Sequence, residues 1–72
     1  MDKNISEPLQ EVIKFSISTR NELGLSQDML ARLMGTNQAN ISRLESGNHN
    51  PSIEFIRKLA AAMGKKVHIT FE

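Results

Sequence analysis

Apolar residues recur at intervals of three or four positions in four separate segments of the chain. Residues at this spacing share one face of an α-helix, so each segment predicts an amphipathic helix. A glycine stands shortly after the end of every segment, where a helix commonly ends through a left-handed residue. The predicted helices cover residues 7–23, 27–34, 38–45 and 52–63.

The first and last helices are expected to line the core with one stripe each. Ser6 is the expected cap of the first helix, with Glu7 and Pro8 in its opening turn. The first stripe consists of Leu9, Val12, Ile13, Ser16, Arg20 and Leu23, and the last of Ile53, Ile56, Leu59, Ala60 and Met63. The arginine on the first stripe is unusual, because a buried charge needs a partner.

The two middle helices lie next to each other in the sequence and are joined by a short turn. Ser26 and Asn37 are suitable N-caps, and Gly35 suits a turn that needs a left-handed residue. Ala31 is small enough for two helices to cross closely beside Ile41. The combination predicts a helix-turn-helix motif of the kind that binds DNA, with a plain helical hairpin as the alternative.

The last segment has the alternation of a β-strand. Val67, Ile69 and Phe71 alternate with His68 and Thr70. No other segment predicts a strand, so the expected pairing partner is the same segment of a second copy, in a homodimer. An extended tail is the alternative. The expected organisation is a flexible tail (1–6), a DNA-binding domain (7–64) and a dimerisation strand (65–72).

Composition narrows the possible functions without identifying one. A chain of 72 residues is expected to form one domain, and its net charge of +1 is low for a nucleic-acid binder, so local charge placement must matter. The absence of cysteine and of long apolar runs predicts a cytoplasmic protein with no membrane span. His49 and His68 have no matching nucleophile or carboxylates, so we expect no enzymatic activity, cofactor or metal.

Residues 20–64 resemble the phage repressor and Cro-like family of helix-turn-helix regulators. The resemblance rests on LGLSQ, on the motif above and on LESGNHNPS, which leads into the last helix. It implies an all-α, lambda-repressor-like domain of four compact helices, or five if a short turn is counted. The alternating pattern of the last segment adds a C-terminal strand paired across a dimer. The resemblance further implies a homodimeric repressor of transcription that places helix 38–45 in the major groove of double-stranded DNA.

The resemblance also implies which residues contact DNA. Gln27 corresponds to a glutamine that contacts phosphate, and Gln38 to one that binds a base, adenine being the natural target of its amide. Ala39 leaves only a methyl contact with thymine, where some relatives carry a second glutamine. Arg43 could bind guanine or phosphate. The implied DNA-binding residues are Gln27, Asn37, Gln38, Ala39, Asn40, Ser42, Arg43, Ser46 and Asn48, with His49 in the same backbone-contacting loop.

Two further expectations follow from this resemblance. Family members that carry an arginine at the position of Arg20 pair it with an acid at the position of Glu45, which implies a structural ion pair here. The terminal KKVHITFE is more similar to regulators, including antitoxins, that dimerise through a terminal strand. The alternative function is therefore an antitoxin that also neutralises a protein toxin. Phe15 and Ile17 could contact such a toxin, pack under the strand, or form an ordinary core edge.

Overall fold

The computed structural model describes residues 6–65 and contains four helices in that range. They are α1 (Glu7–Glu22), α2 (Gln27–Met34), α3 (Gln38–Glu45) and α4 (Ile53–Ala62). The all-helical architecture predicted for this part of the chain is confirmed. The predicted strand with Val67, Ile69 and Phe71 lies outside the described residues, as does most of the predicted N-terminal tail.

Each helix begins directly after a residue whose side chain caps it. Ser6, Ser26, Asn37 and Ser52 each accept a hydrogen bond from the backbone N–H three residues ahead. These bonds are 3.0 Å long in α2, α3 and α4 and 3.4 Å long in α1. Caps of this type stabilise a helix by about 0.5–2 kcal/mol each, because they satisfy backbone donors that have no partner inside the helix. The starts of all four helices are therefore encoded locally.

The core lies where α2 meets α3 and α4, while α1 packs across α3. Its buried residues are Leu30, Ala31, Ile41, Leu44, Leu59 and Met63. Ile13 of α1 is also buried, and Phe15 packs against the core cluster as a partly buried residue. Phe15 is thus engaged at the edge of the core, which is the plainest of the roles expected for it.

Two residues of the predicted inward stripes are exposed instead of buried. Leu23 is 51% exposed, because it lies beyond the last residue of α1 and the chain turns away at Gly24. Ile53 is 45% exposed, since it is the first residue of α4 and helical side chains tilt toward the N-terminus, beyond the packed part of the helix. On α1, Thr19 is buried, although the apolar pattern did not predict it.

Helix α2 buries a narrower face than its apolar content suggests. Leu30 and Ala31 are buried, whereas Met29 is 48% and Leu33 60% exposed.

Across residues 6–65, no helix has the length and apolar character needed to cross a membrane.

Candidate nucleic-acid interface

The turn between α2 and α3 sets the angle at which the two helices cross. Gly35 has φ +71° and ψ +29°, a left-handed conformation that a side chain disfavours. The following N–H, that of Thr36, donates to the carbonyl of Ala31 at 2.9 Å and closes the end of α2. Ala31 of α2 and Ile41 of α3 are both buried in the core cluster that the two helices share.

The face of α3 opposite the core is exposed and carries small or polar side chains. Ile41 and Leu44 are completely buried and attach the helix to the rest of the domain. The exposed positions on and around the helix include Asn37, Gln38, Ala39, Ser42, Arg43, Ser46 and Asn48, whereas Asn40 is half-buried. The structure therefore brings most residues of the expected DNA-binding set onto one accessible surface.

Asn40 is held by neighbours on both sides of its amide group. Its Nδ2 donates to Thr36 Oγ1 at 2.8 Å, and its Oδ1 accepts from Arg43 Nη1 at 3.2 Å. Thr36 was not predicted to take part in the site, because its position in the turn gives no sign of this contact. The arrangement holds the guanidinium of Arg43 near the exposed surface of α3 and engages Asn40 within the protein.

A carboxylate at the end of α3 is the most highly connected polar group of the described residues. Arg20 donates to Glu45 in a two-pronged ion pair, from Nε to Oε2 at 3.1 Å and from Nη2 to Oε1 at 2.9 Å. The side chains of Arg20 and Glu45 are only 14% and 5% exposed. Ser16, fully buried, donates to Oε2 at 2.7 Å, and Gln27 donates to Oε1 at 3.1 Å. The carboxylate thus joins α1, α2 and α3.

The ionised form of Glu45 is favoured by these donors. Burial alone raises the pKa of a carboxyl group, but hydrogen bonds from Arg20, Ser16 and Gln27, with the charge of Arg20, outweigh burial and lower the pKa of Glu45. Arg20 also donates through Nη1 to the carbonyl of Leu25 at 2.9 Å. This bond ties the guanidinium to the loop that leads into α2.

Gln27 links this buried group to the exposed surface. Its Nε2 donates to Glu45, while its Oε1 accepts a long hydrogen bond, 3.5 Å, from Nε2 of Gln38. Gln27 is half-buried and Gln38 is exposed. A series of side-chain contacts therefore runs from the ion pair to the first residue of α3.

The loop after α3 is folded back onto the helix end. Gly47 has φ +84°, and the N–H of Asn48 donates to the carbonyl of Arg43 at 2.9 Å. Ser46 Oγ donates to the same carbonyl at 3.1 Å and accepts from Asn48 Nδ2 at 3.3 Å. The rings of His49 and Phe55 form a T-shaped contact, with 5.4 Å between centroids. These contacts place polar groups of the loop beside the exposed face of α3.

The described residues contain no cluster of histidine, aspartate or glutamate suited to a metal ion.

Comparison with known proteins agrees with this geometry. A helix-turn-helix family model matches residues 18–69. The chain is 43% identical over 58 residues to an uncharacterized HTH-type transcriptional regulator of Haemophilus influenzae; the match covers 81% of this chain and 59% of the relative, so the chain spans about three-fifths of that protein.

A second similar protein is an uncharacterized HTH-type transcriptional regulator of Methanothermobacter thermautotrophicus. It is 38% identical over 47 residues, which cover 65% of this chain and 68% of the relative. These matches confirm the resemblance of residues 20–64 to helix-turn-helix regulators. The chain belongs to the helix-turn-helix family.

Proposed function

We propose that this chain is a sequence-specific transcriptional regulator that inserts α3 into the major groove of double-stranded DNA. The observation that carries the proposal is the exposed outer face of α3, with its small and polar side chains, opposite the buried side chains of Ile41 and Leu44. A major groove about 12 Å wide admits a helix of this kind. The regulator names of the two relatives support the same function.

Within this proposal the exposed residues divide into base and backbone contacts. Gln38 binds adenine, the methyl of Ala39 contacts thymine, and Arg43, oriented by Asn40, binds guanine or phosphate. Ser42 lies on the same face and contacts a base edge or phosphate. The residues assigned to the sugar-phosphate backbone are Gln27, Asn37, Ser46 and Asn48.

Selection from a random duplex pool tests this function. The protein should enrich one sequence, and its affinity for that duplex should fall as the salt concentration rises, because cationic side chains release counterions from the phosphates. Recovery of no enriched sequence would contradict specific recognition. Because Arg43 is the one cationic residue among the contacts assigned above, the salt slope should be shallow compared with that of a strongly basic domain.

The dimeric form of the regulator is part of the proposal. We assign residues 7–64 to DNA binding and residues 65–72 to pairing with a second copy, and we expect a cytoplasmic repressor that binds two half-sites about one helical turn apart. Ile69→Lys should give a monomer in sedimentation, because it introduces a charge among Val67, Ile69 and Phe71. Thr70→Lys adds the same charge between those positions and should leave the dimer intact. Equal masses for the two variants would contradict pairing through the apolar face.

A second proposed function is that of an antitoxin. The exposed apolar side chains of Met29 and Leu33 on α2 favour it, because they offer a protein partner an apolar surface. Co-expression with the product of the adjacent reading frame should yield a stable complex that Leu33→Lys weakens. Failure to form a complex would leave DNA binding as the function.

A further inference from the structure

The carboxylate of Glu45 restricts the orientation of the Gln27 amide. A carboxylate can only accept hydrogen bonds, and Oε1 of Glu45 lies 3.1 Å from the Gln27 amide nitrogen. The reversed amide would place the oxygen of Gln27 against this negatively charged oxygen. Gln27 must therefore donate one N–H to Glu45 and turn its oxygen toward Gln38, which leaves the second N–H of its amide for phosphate.

The outward oxygen of Gln27 in turn restricts Gln38. Gln27 Oε1 accepts from Gln38 Nε2, so one of the two N–H groups of Gln38 points toward Gln27. Gln38 keeps one N–H and its Oε1 for the DNA. One donor and one acceptor match the N7 and N6 groups of adenine.

Guanine presents two acceptors to Gln38, where adenine presents one acceptor and one donor. The O6 and N7 of guanine both accept hydrogen bonds, so Gln38 would have to offer both N–H groups to the base. Gln27 holds one of these N–H groups, so the Oε1 of Gln38 faces an acceptor of guanine with no hydrogen atom between the two oxygen or nitrogen atoms. The contacts of Glu45 therefore disfavour guanine at the position of Gln38.

We propose that Glu45 is a positioning residue for base recognition, which through Gln27 sets Gln38 to prefer adenine over guanine. Ser16 donates to Oε2 and Arg20 donates to both carboxylate oxygens, and these hydrogen bonds hold the carboxylate in place. Ser16, which is fully buried on α1, therefore helps to position Glu45. The inference rests on the proposed function, and it goes beyond it by assigning base preference to residues that do not contact the bases.

The test begins with the duplex that the wild-type protein enriches from a random pool. Gln38→Ala identifies the base pair that Gln38 contacts, and the ratio of dissociation constants is then measured for guanine against adenine at that position. In Glu45→Gln the side chain can either donate or accept, so Gln27 can take both orientations. The ratio should fall on the order of fivefold or more, the smallest discrimination expected of a two-bond contact.

Glu22→Gln is the matched control, because it makes the same charge change at an exposed position of α1. It should shift the affinity for all duplexes equally and leave the guanine-to-adenine ratio unchanged. Ser16→Ala should lower the ratio less than Glu45→Gln does, while Ser18→Ala, at an exposed site of the same helix, should not alter it.

A second variant, which leaves the ion pair intact, tests the inference even if Glu45→Gln does not fold. Gln27→Ala removes the link but leaves Arg20, Ser16 and Glu45 in contact, and it should also lower the ratio. A ratio within about twofold of wild type in Gln27→Ala, or in folded Glu45→Gln, would overturn the inference while leaving DNA binding established. Failure to enrich any duplex would instead contradict the proposed function.

Discussion

Removing the carboxylate of Glu45 should destabilise the domain far more than removing an exposed glutamate. Glu45→Ala leaves Arg20 with a side chain only 14% exposed, which then keeps its hydrogen bond to the carbonyl of Leu25 but has lost its carboxylate partner. It also takes an acceptor from Ser16 and from Gln27. Breaking a buried ion pair from one side costs about 3–5 kcal/mol, because the remaining charge stays desolvated.

The lower end of this range applies here. Arg20 keeps some contact with water, and the hydroxyl of Ser16 can bond to a carbonyl of its own helix. We therefore expect a loss of about 3 kcal/mol, out of a total stability of roughly 4–11 kcal/mol for a chain of this length. In a small domain this corresponds to a fall in melting temperature of roughly 12–24 °C.

Glu11→Ala provides the matched control for this experiment. Glu11 pairs with Lys14 at 3.8 Å, but the two side chains are 76% and 66% exposed, so the change should cost within about 0.5 kcal/mol. Thermal and urea unfolding followed by circular dichroism measure both variants. Replacing both charges, in Arg20→Met with Glu45→Leu, should recover much of the loss, since no buried charge remains. If Glu45→Ala has the same melting temperature as Glu11→Ala, the ion pair does not hold the helices together.

The remaining predictions concern pH, packing and the turn. Because the folded-state pKa of Glu45 is lowered, its contribution to the free energy of unfolding is fully present above the ordinary glutamate pKa of about 4.3 and is lost as pH falls through the folded-state pKa. The urea midpoint of wild type should therefore approach that of Glu45→Gln only under acidic conditions. A difference between the two midpoints that stays constant with pH would contradict this. Leu30→Ala should cost about 2–5 kcal/mol in urea unfolding and Leu33→Ala within about 0.5 kcal/mol, since the first is buried and the second 60% exposed; similar losses would contradict the observed face of α2. Gly35→Ala should lower stability by about 1–2 kcal/mol through its left-handed backbone alone, because open space surrounds the added methyl; unchanged thermal unfolding would refute this.

The sequence predicted the helix boundaries closely because their causes are local. Ser26 caps α2 and Gly35 ends it, and both act within a few residues of their own positions. The same patterns did not predict that Leu23 and Ile53 would be exposed, since burial at a helix end depends on where neighbouring helices stop.

The candidate site was only partly predictable. The exposed face of α3 follows from the spacing of Ile41 and Leu44, but the partnership of Arg20 with Glu45 was implied by family resemblance and not by periodicity. Ser16 and Gln27 were not expected to bind Glu45, because their side chains converge only after three helices have packed. Thr36 was missed for the same reason, as its contact with Asn40 depends on the turn geometry.

The central claim is that the exposed face of α3 recognises bases, and Gln38→Ala tests it most directly. Dissociation constants are measured for the enriched duplex and for its single base-pair variants, with wild type and with Gln38→Ala. We predict that the variant loses discrimination at one base pair in each half-site, by about 1–3 kcal/mol, and keeps it elsewhere. An equal loss of affinity for every duplex would make Gln38 a phosphate contact and contradict base recognition by this residue.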